Sequence, residues 1–167
     1  MSKSKKNDSV TVIIETPKGS RNKYAFEEEQ RAFVLKKVLP AGMVFPYDFG
    51  FVPGTKGGDG DPLDVLVLMD EPAFPGCHLP VRIVGVIEAE QIEGRKRQRN
   101  DRVLAIAEVN HAYAGVTDIR ELPEQLLAEL EGFFVNYSEL EGRRFRVLAR
   151  HGAARAQALL EKARSAV

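Results

Sequence analysis

Asp59-Gly60-Asp61-Pro62-Leu63-Asp64-Val65-Leu66-Val67-Leu68-Met69 sets three carboxylates within six residues, directly ahead of an apolar run. The run reads as a β-strand, so it fixes where the carboxylates behind it point. Ionised carboxylates this close repel one another, and a short segment stiffened by Pro62 holds them together at a cost. A cation or hydrogen-bond donors must offset that repulsion. Hard divalent cations such as Mg²⁺, with Mn²⁺ as an alternative, favour oxygen ligands of this kind. An EF-hand is excluded, because its fifth, sixth and twelfth positions would be Leu63, Asp64 and Asp70. Phosphatases with an aspartate nucleophile place the apolar strand before the acids, the reverse of the order here. The plain alternative is a solvated acidic turn entering a strand.

Working outward, Val10–Ile14 is β-branched and reads as a strand, followed by the basic turn Lys18–Asn22 and short strand candidates at Lys23–Phe26 and Ala32–Val38. Pro40–Gly60 is a Gly/Pro/aromatic connector whose alternating Phe45, Tyr47, Phe49 and Phe51 suit an extended segment. Leu79–Ile92 and Val103–Val109 read as further strands, with Glu93–Asn100 as a basic hairpin loop between them. From Pro123 the pattern changes. Leu126, Leu127, Leu130, Phe133, Phe134, Tyr137 and Leu140 recur at helical spacing. Phe145–Ala149 reads as one more strand and Ala153–Ala166 as a helix. Many short strands followed by two helices predict an α+β fold with a curved sheet or small barrel. Residues 10–167 are expected to form a single domain behind a polar, frayed terminus over residues 1–9.

An apolar fraction of 44% across 167 residues gives enough material for one packed core. With 24 basic and 24 acidic residues the chain is neutral, so bulk charge predicts neither nucleic-acid nor membrane affinity. The single cysteine, Cys77, allows no intramolecular disulfide. Neither a secretory signal nor a membrane-spanning run is recognisable, and a cytoplasmic location is expected. Gly54-Thr55-Lys56-Gly57-Gly58 lacks the ending and the following helix of a phosphate loop. His78, His111 and His151 lack zinc-ligand spacing. The Arg95–Arg99 cluster is read as a solvated hairpin tip, with polyphosphate or RNA binding as the sharper alternative.

The Asp-Gly-Asp-Pro-Leu-Asp segment with its following strand resembles the signature of the family I soluble inorganic pyrophosphatases. The likeness continues in order through Val12–Pro17, Asn22-Lys23-Tyr24, Phe45–Pro53, Pro75-Gly76-Cys77, Val84-Gly85-Val86, Asp118–Pro123 and Phe133–Tyr137. It implies a small OB-like β-barrel flanked by two C-terminal helices and a homo-oligomer, with a hexamer favoured. It implies Mg²⁺-dependent hydrolysis of pyrophosphate, or of a related phosphate anhydride, to phosphate. On the matching positions it implies Asp59 and Asp64 as metal ligands, with Asn100 and Asp61 joining them. Asp61 would take a proton from the attacking water. Lys23, Lys37, Arg102 and Tyr137 would hold phosphate oxygens, and Glu15 would support the site as a nearby acid.

The same matching exposes departures. Ala25 stands where a glutamate is expected, Lys37 where an arginine is, and Phe45 and Phe49 where tyrosines are. Gln91 and Asn100 replace aspartates, Arg102 a lysine, and Ser138 a lysine. Carboxylates for substrate-borne metals are thus lost at Ala25, Gln91 and Asn100, with Glu93 and Asp101 as candidate replacements. The added Arg95, Lys96, Arg97 and Arg99 are candidate phosphate neutralisers in place of metal. Two further functions follow as alternatives: a catalytically impaired member acting as a binding or regulatory module, or an RNA or polyphosphate binder using the 95–99 segment. Membrane association is not expected, and neutrality disfavours nucleic acid.

Overall fold

The structure, a computed structural model, describes residues 9–167. The expected frayed terminus therefore lies almost wholly outside the described residues. Nine strands and two helices follow in order: β1 Val10–Thr16, β2 Asn22–Glu27, β3 Ala32–Val38, β4 Asp48–Val52, β5 Leu63–Leu68, β6 His78–Glu93, β7 Lys96–Arg99, β8 Arg102–Ala107, α1 Glu124–Leu140, β9 Arg144–Gly152 and α2 Ala153–Ser165. A short 3₁₀ turn, Ile119–Glu121, precedes α1.

Strands β1, β4, β5, β8 and β6 are neighbours in that order, and β6 returns to pair with β1 through Val10↔Val81 and Val12↔Leu79. That last pairing closes these five strands into a barrel-like ring. Strands β7 and β9 extend the sheet from β6, and β2–β3 forms a separate hairpin. The α+β barrel with two C-terminal helices agrees with the expectation from sequence.

The β5–β8 pair is parallel, with Val65↔Val103 and Val67↔Ala105 in register. Parallel strands are covered on both faces, and this explains the unbroken apolar runs. Val65, Val67, Val103 and Ala105 join the cluster that includes Ala156, Leu160 and Ala163 of α2. Leu66, Leu68, Leu104 and Ile106 turn to the other cluster, which holds Leu127, Leu130 and Phe134 of α1.

Two details depart from the reading of the sequence. The basic segment is not a loop: residues 96–99 form β7, paired with β6 from Glu90↔Arg99 to Glu93↔Lys96, and only Gly94 and Arg95 make the turn. Strand β8 stops at Ala107, short of Val109. Pro123 is the N-cap of α1, so the helix begins where the pattern changes.

Gly50 marks the tightest backbone approach in the ring. A Cβ there would lie 2.1 Å from the Ile13 carbonyl oxygen. The obstacle is backbone in a paired strand, so it cannot rotate away. Gly50→Ala is expected to destabilise the fold by ~3 kcal/mol or more, read as a fall in the urea midpoint.

Asp118 caps two elements. Its carboxylate accepts from the Arg120 backbone N–H (3.0 Å) and from the Ala153 N–H at the start of α2 (3.0 Å). The Arg120 side chain bonds it as well, and these donors hold the carboxyl well below the usual carboxylate range. A depressed carboxyl contributes stability above its unfolded pKa of about 3.9 and loses it as pH falls toward the folded value. Asp118→Asn should therefore cost about 1 kcal/mol at neutral pH. It should also flatten the decline in stability below about pH 4, measured as denaturation midpoints across pH.

Candidate active site

The aspartate loop is tied down before any ligand is considered. The Gly57 N–H donates to the Asp61 carbonyl (2.7 Å), and the Gly60 N–H to the Gly57 carbonyl (3.1 Å). Gly60 adopts φ +87°, a left-handed backbone that suits glycine. The Asp61 N–H donates to Asp59 Oδ1 (3.0 Å), an Asx-type turn. Buried Thr55 braces the loop: its hydroxyl donates to the Val52 carbonyl (2.6 Å) and accepts from the Leu63 N–H (2.9 Å). The sequence reading gave Thr55 no role, because the brace appears only once the loop has folded back on itself.

The parallel register of β5 and β8 brings Asp64 beside Arg102. One guanidinium nitrogen, Nη1, donates both to Asp64 Oδ2 and to Asn100 Oδ1, the latter at 2.6 Å. The Arg102 guanidinium also lies over three rings, 4.8 Å from the centroid of Phe134 and 5.5 Å from those of Phe49 and Phe145. Such faces favour a cation. Only 8% of Arg102 is exposed, and its Nε has no hydrogen-bond partner among the described residues. Asn100 Nδ2 in turn lies 2.7 Å from the Gln91 amide. The Arg143 guanidinium lies against the same amide, 2.8 Å away.

On the other wall, Glu15 stands at an irregularity in β1, where pairing with β4 shifts between Ile14 and Thr16. Its carboxylate accepts from the Phe26 N–H (2.9 Å). Thr16 exchanges two hydrogen bonds with Tyr24 (2.9 and 3.1 Å), which docks β2 onto β1 and delivers Lys23. Lys23 lies opposite Lys37 in the β2–β3 register. Both ammonium groups lie against Tyr137, 5.7 and 5.5 Å from its ring centroid. Lys37 also pairs with Glu141 (2.9 Å), a partner not foreseen from sequence. The Tyr137 hydroxyl is buried without a hydrogen-bond partner among the described residues.

The electrostatics divide the site into two halves. Burial raises the Glu15 carboxyl to about 7, and the nearby charges of Asp64 and Asp61 add to the effect. Burial raises Asp64 to about 6 against the opposing pull of Arg102, and raises Asp59 as well. Lys23 is lowered by burial and by Lys37 and Arg102. Crowded carboxylates thus face crowded cations, an arrangement suited to a polyanion that brings or meets divalent metal. The oxygen donors have the chemistry a hard cation requires. Among the described residues, however, no three His, Cys, Asp or Glu side chains converge closely enough to hold a metal as they stand.

Both candidate replacements for the lost carboxylates are occupied or remote. Asp101 accepts from the Ala89 N–H (3.0 Å) and from Arg99 (3.0 Å). Glu93 sits opposite Lys96 at the exposed end of β6. The basic residues are not a single group either. Alternation sends Lys96 to the Gln91 face and Arg97 and Arg99 to the opposite one. Phe45 and Phe49, which stand where tyrosines were expected, are buried with their rings 5.6 Å apart. A cleft of about 340 Å³ lies between the aspartate loop and α2, lined by Asp59, Asp64, Asn100, Arg99, Lys56 and Lys162 among others. A larger cleft near the start of α2 contains none of these acids; Asp118, Arg150 and Arg155 on its wall are already ion-paired.

The family described as inorganic pyrophosphatase matches residues 12–167, nearly the whole chain. This protein belongs to the inorganic pyrophosphatase family. The inorganic pyrophosphatase of Methanosarcina acetivorans is 37% identical over 155 residues, covering 93% of this chain and 90% of that protein. That of Nostoc sp. is also 37% identical, over 92% of this chain and 88% of its own length. Among solved structures, the inorganic pyrophosphatase of Thermus thermophilus superposes with a TM-score of 0.89 at 31% identity, covering 97% of this chain and 92% of that one. Family membership accounts for the barrel and its helices. Among the described residues, no helix is long and apolar enough to cross a membrane.

Proposed function

We propose that this chain hydrolyses inorganic pyrophosphate to two phosphates with the help of Mg²⁺, as a single-domain, homo-oligomeric cytoplasmic enzyme for which a hexamer is favoured. The observation that carries the reading is the juxtaposition of the Asp59–Asp64 loop and Glu15 with Lys23, Lys37, Arg102 and Tyr137 in one site. Full-length similarity to inorganic pyrophosphatases supports it.

Pyrophosphate repels an oxygen nucleophile because it is itself a polyanion. Asp59 and Asp64 would hold divalent cations, with Asp61 and the Asn100 side-chain oxygen adding donors. When bound, such ions supply charge neutralisation and a more acidic water. Asp61 would accept the proton of the attacking water, since its carboxylate makes no hydrogen bond within the described protein. Lys23 and Lys37 would hold phosphate oxygens, and their lateral packing on Tyr137 sets their spacing. The unpartnered Tyr137 hydroxyl would donate to the departing phosphate. Arg102 would neutralise Asp64 and offer its remaining N–H donors to phosphate.

Steady-state phosphate release from pyrophosphate, with Mg²⁺ or Mn²⁺ and against chelator controls, tests the reading. Metal-dependent release is expected. If release stays at the level of an Asp61→Asn control, while a nucleotide or polyphosphate is cleaved, the substrate assignment is wrong. If nothing is cleaved, the impaired-member alternative replaces it.

A further inference from the structure

The end of β6 carries a strand on each side, and their registers align four arginines. Glu90 lies between Arg99 of β7 and Arg146 of β9, and Ile92 lies between Arg97 and Arg144. Alternation along paired strands puts these six side chains on one face, opposite Gln91, Gln98 and Phe145. All four arginines are exposed; the side chains of Arg97, Arg99 and Arg146 are 64%, 45% and 55% accessible.

Their charge is only partly met. Glu90 is shared by Arg97 (3.8 Å) and Arg146 (3.7 Å), both beyond hydrogen-bond length. Arg99 uses Asp101 (3.0 Å) and Glu88 (3.2 Å), and Glu88 is also bound by Arg155 (2.7 Å). Arg144 has no ion-pair partner among the described residues, nor have Arg95 and Lys96 at the turn. Like charges gathered on one face repel unless an anion lies among them.

The rows lie ~7 Å apart along the strands and the outer strands ~10 Å apart across them. A single phosphate meets one or two guanidinium forks in such an array, whereas a chain of linked phosphates meets all four. Among the described residues no aromatic side chain lies on this face, since Phe145 is buried on the other, so nucleobases have no stacking platform. Arg99 also lines the cleft beside Asp59 and Asp64, which makes the array continuous with the rim of the candidate site.

We propose that the β7–β6–β9 face binds linear inorganic polyphosphate through Arg97, Arg99, Arg144 and Arg146. Binding at this face does not depend on hydrolysis of pyrophosphate.

The test is titration of the full-length protein with medium-chain inorganic polyphosphate at physiological salt, followed by calorimetry. A triple variant, Arg97→Gln/Arg144→Gln/Arg146→Gln, spares Arg99 and its bonds to Asp101 and Glu88. The triple variant should bind polyphosphate about tenfold or more weakly, keep pyrophosphate turnover within about twofold, and retain the wild-type circular dichroism spectrum. Wild-type affinity should fall steadily as salt rises. Undiminished affinity in the triple variant overturns the proposal, as does absence of binding by the wild type. Displacement of polyphosphate by an oligoribonucleotide at equal phosphate concentration overturns it in favour of a nucleic-acid surface. Polyphosphate binding without pyrophosphate hydrolysis would leave this proposal standing and remove the catalytic one.

Discussion

Asp61→Asn should lower the turnover of pyrophosphate by roughly 10²–10⁴-fold while leaving the fold intact. The loop bonds made at Asp61 use its backbone: the N–H reaches Asp59 and the carbonyl receives Gly57. Its side chain is therefore spare in the structural sense, and an amide of the same size keeps the turn. What the amide cannot do is take a proton. The fall should appear in kcat, since substrate contacts are assigned to Lys23, Lys37 and Tyr137 on the opposite wall. The thermal midpoint should move by less than about 2 °C, as expected of a surface change below ~0.5 kcal/mol. A variant retaining more than about a tenth of wild-type turnover, far outside the range for a lost general base, would place the proton acceptor elsewhere.

Local signals revealed much of this architecture. Strand β3 begins and ends at the residues read from sequence, Ala32 and Val38, and both helices follow their apolar spacing and alanine content. Strand β7 was missed for a physical reason. Arg95 to Arg99 has no apolar periodicity, and its extended form is imposed by hydrogen bonding to β6. The site was legible in parts. The aspartate loop announces itself through charge crowding, but nothing local tells that Arg102 will stand beside Asp64. That contact needs the parallel β5–β8 pairing, a crossover spanning 38 residues of sequence. The resemblance supplied the pairing of roles, but not Thr55 beneath the loop, Glu141 on Lys37 or Arg143 at the Gln91 amide. All three depend on which side chains neighbour one another after folding, and each is chemically ordinary in sequence.

Arg102→Met is expected to have the largest effect on stability. The substitution keeps an unbranched side chain among Phe49, Phe134 and Phe145 but removes the charge those rings enclose. Asp64 then loses its bonded cation, and Asn100 loses a donor. Removing one partner of a buried ion pair costs about 3–5 kcal/mol, because the other charge is left uncompensated. The opposing possibility is that Arg102, with its Nε unpartnered, is a burden the aromatic cage would shed gladly. Magnitudes decide against it: an unmet N–H costs about 1–3 kcal/mol, less than a stranded carboxylate. Divalent metal separates structural loss from charge loss. If Asp64 is a metal ligand as proposed, Mg²⁺ should raise the melting midpoint of Arg102→Met more than that of the wild type, since the ion supplies the missing positive charge. Equal Mg²⁺ shifts in the two proteins would mean that the ion does not reach Asp64, and the metal assignment of that residue would fall with it.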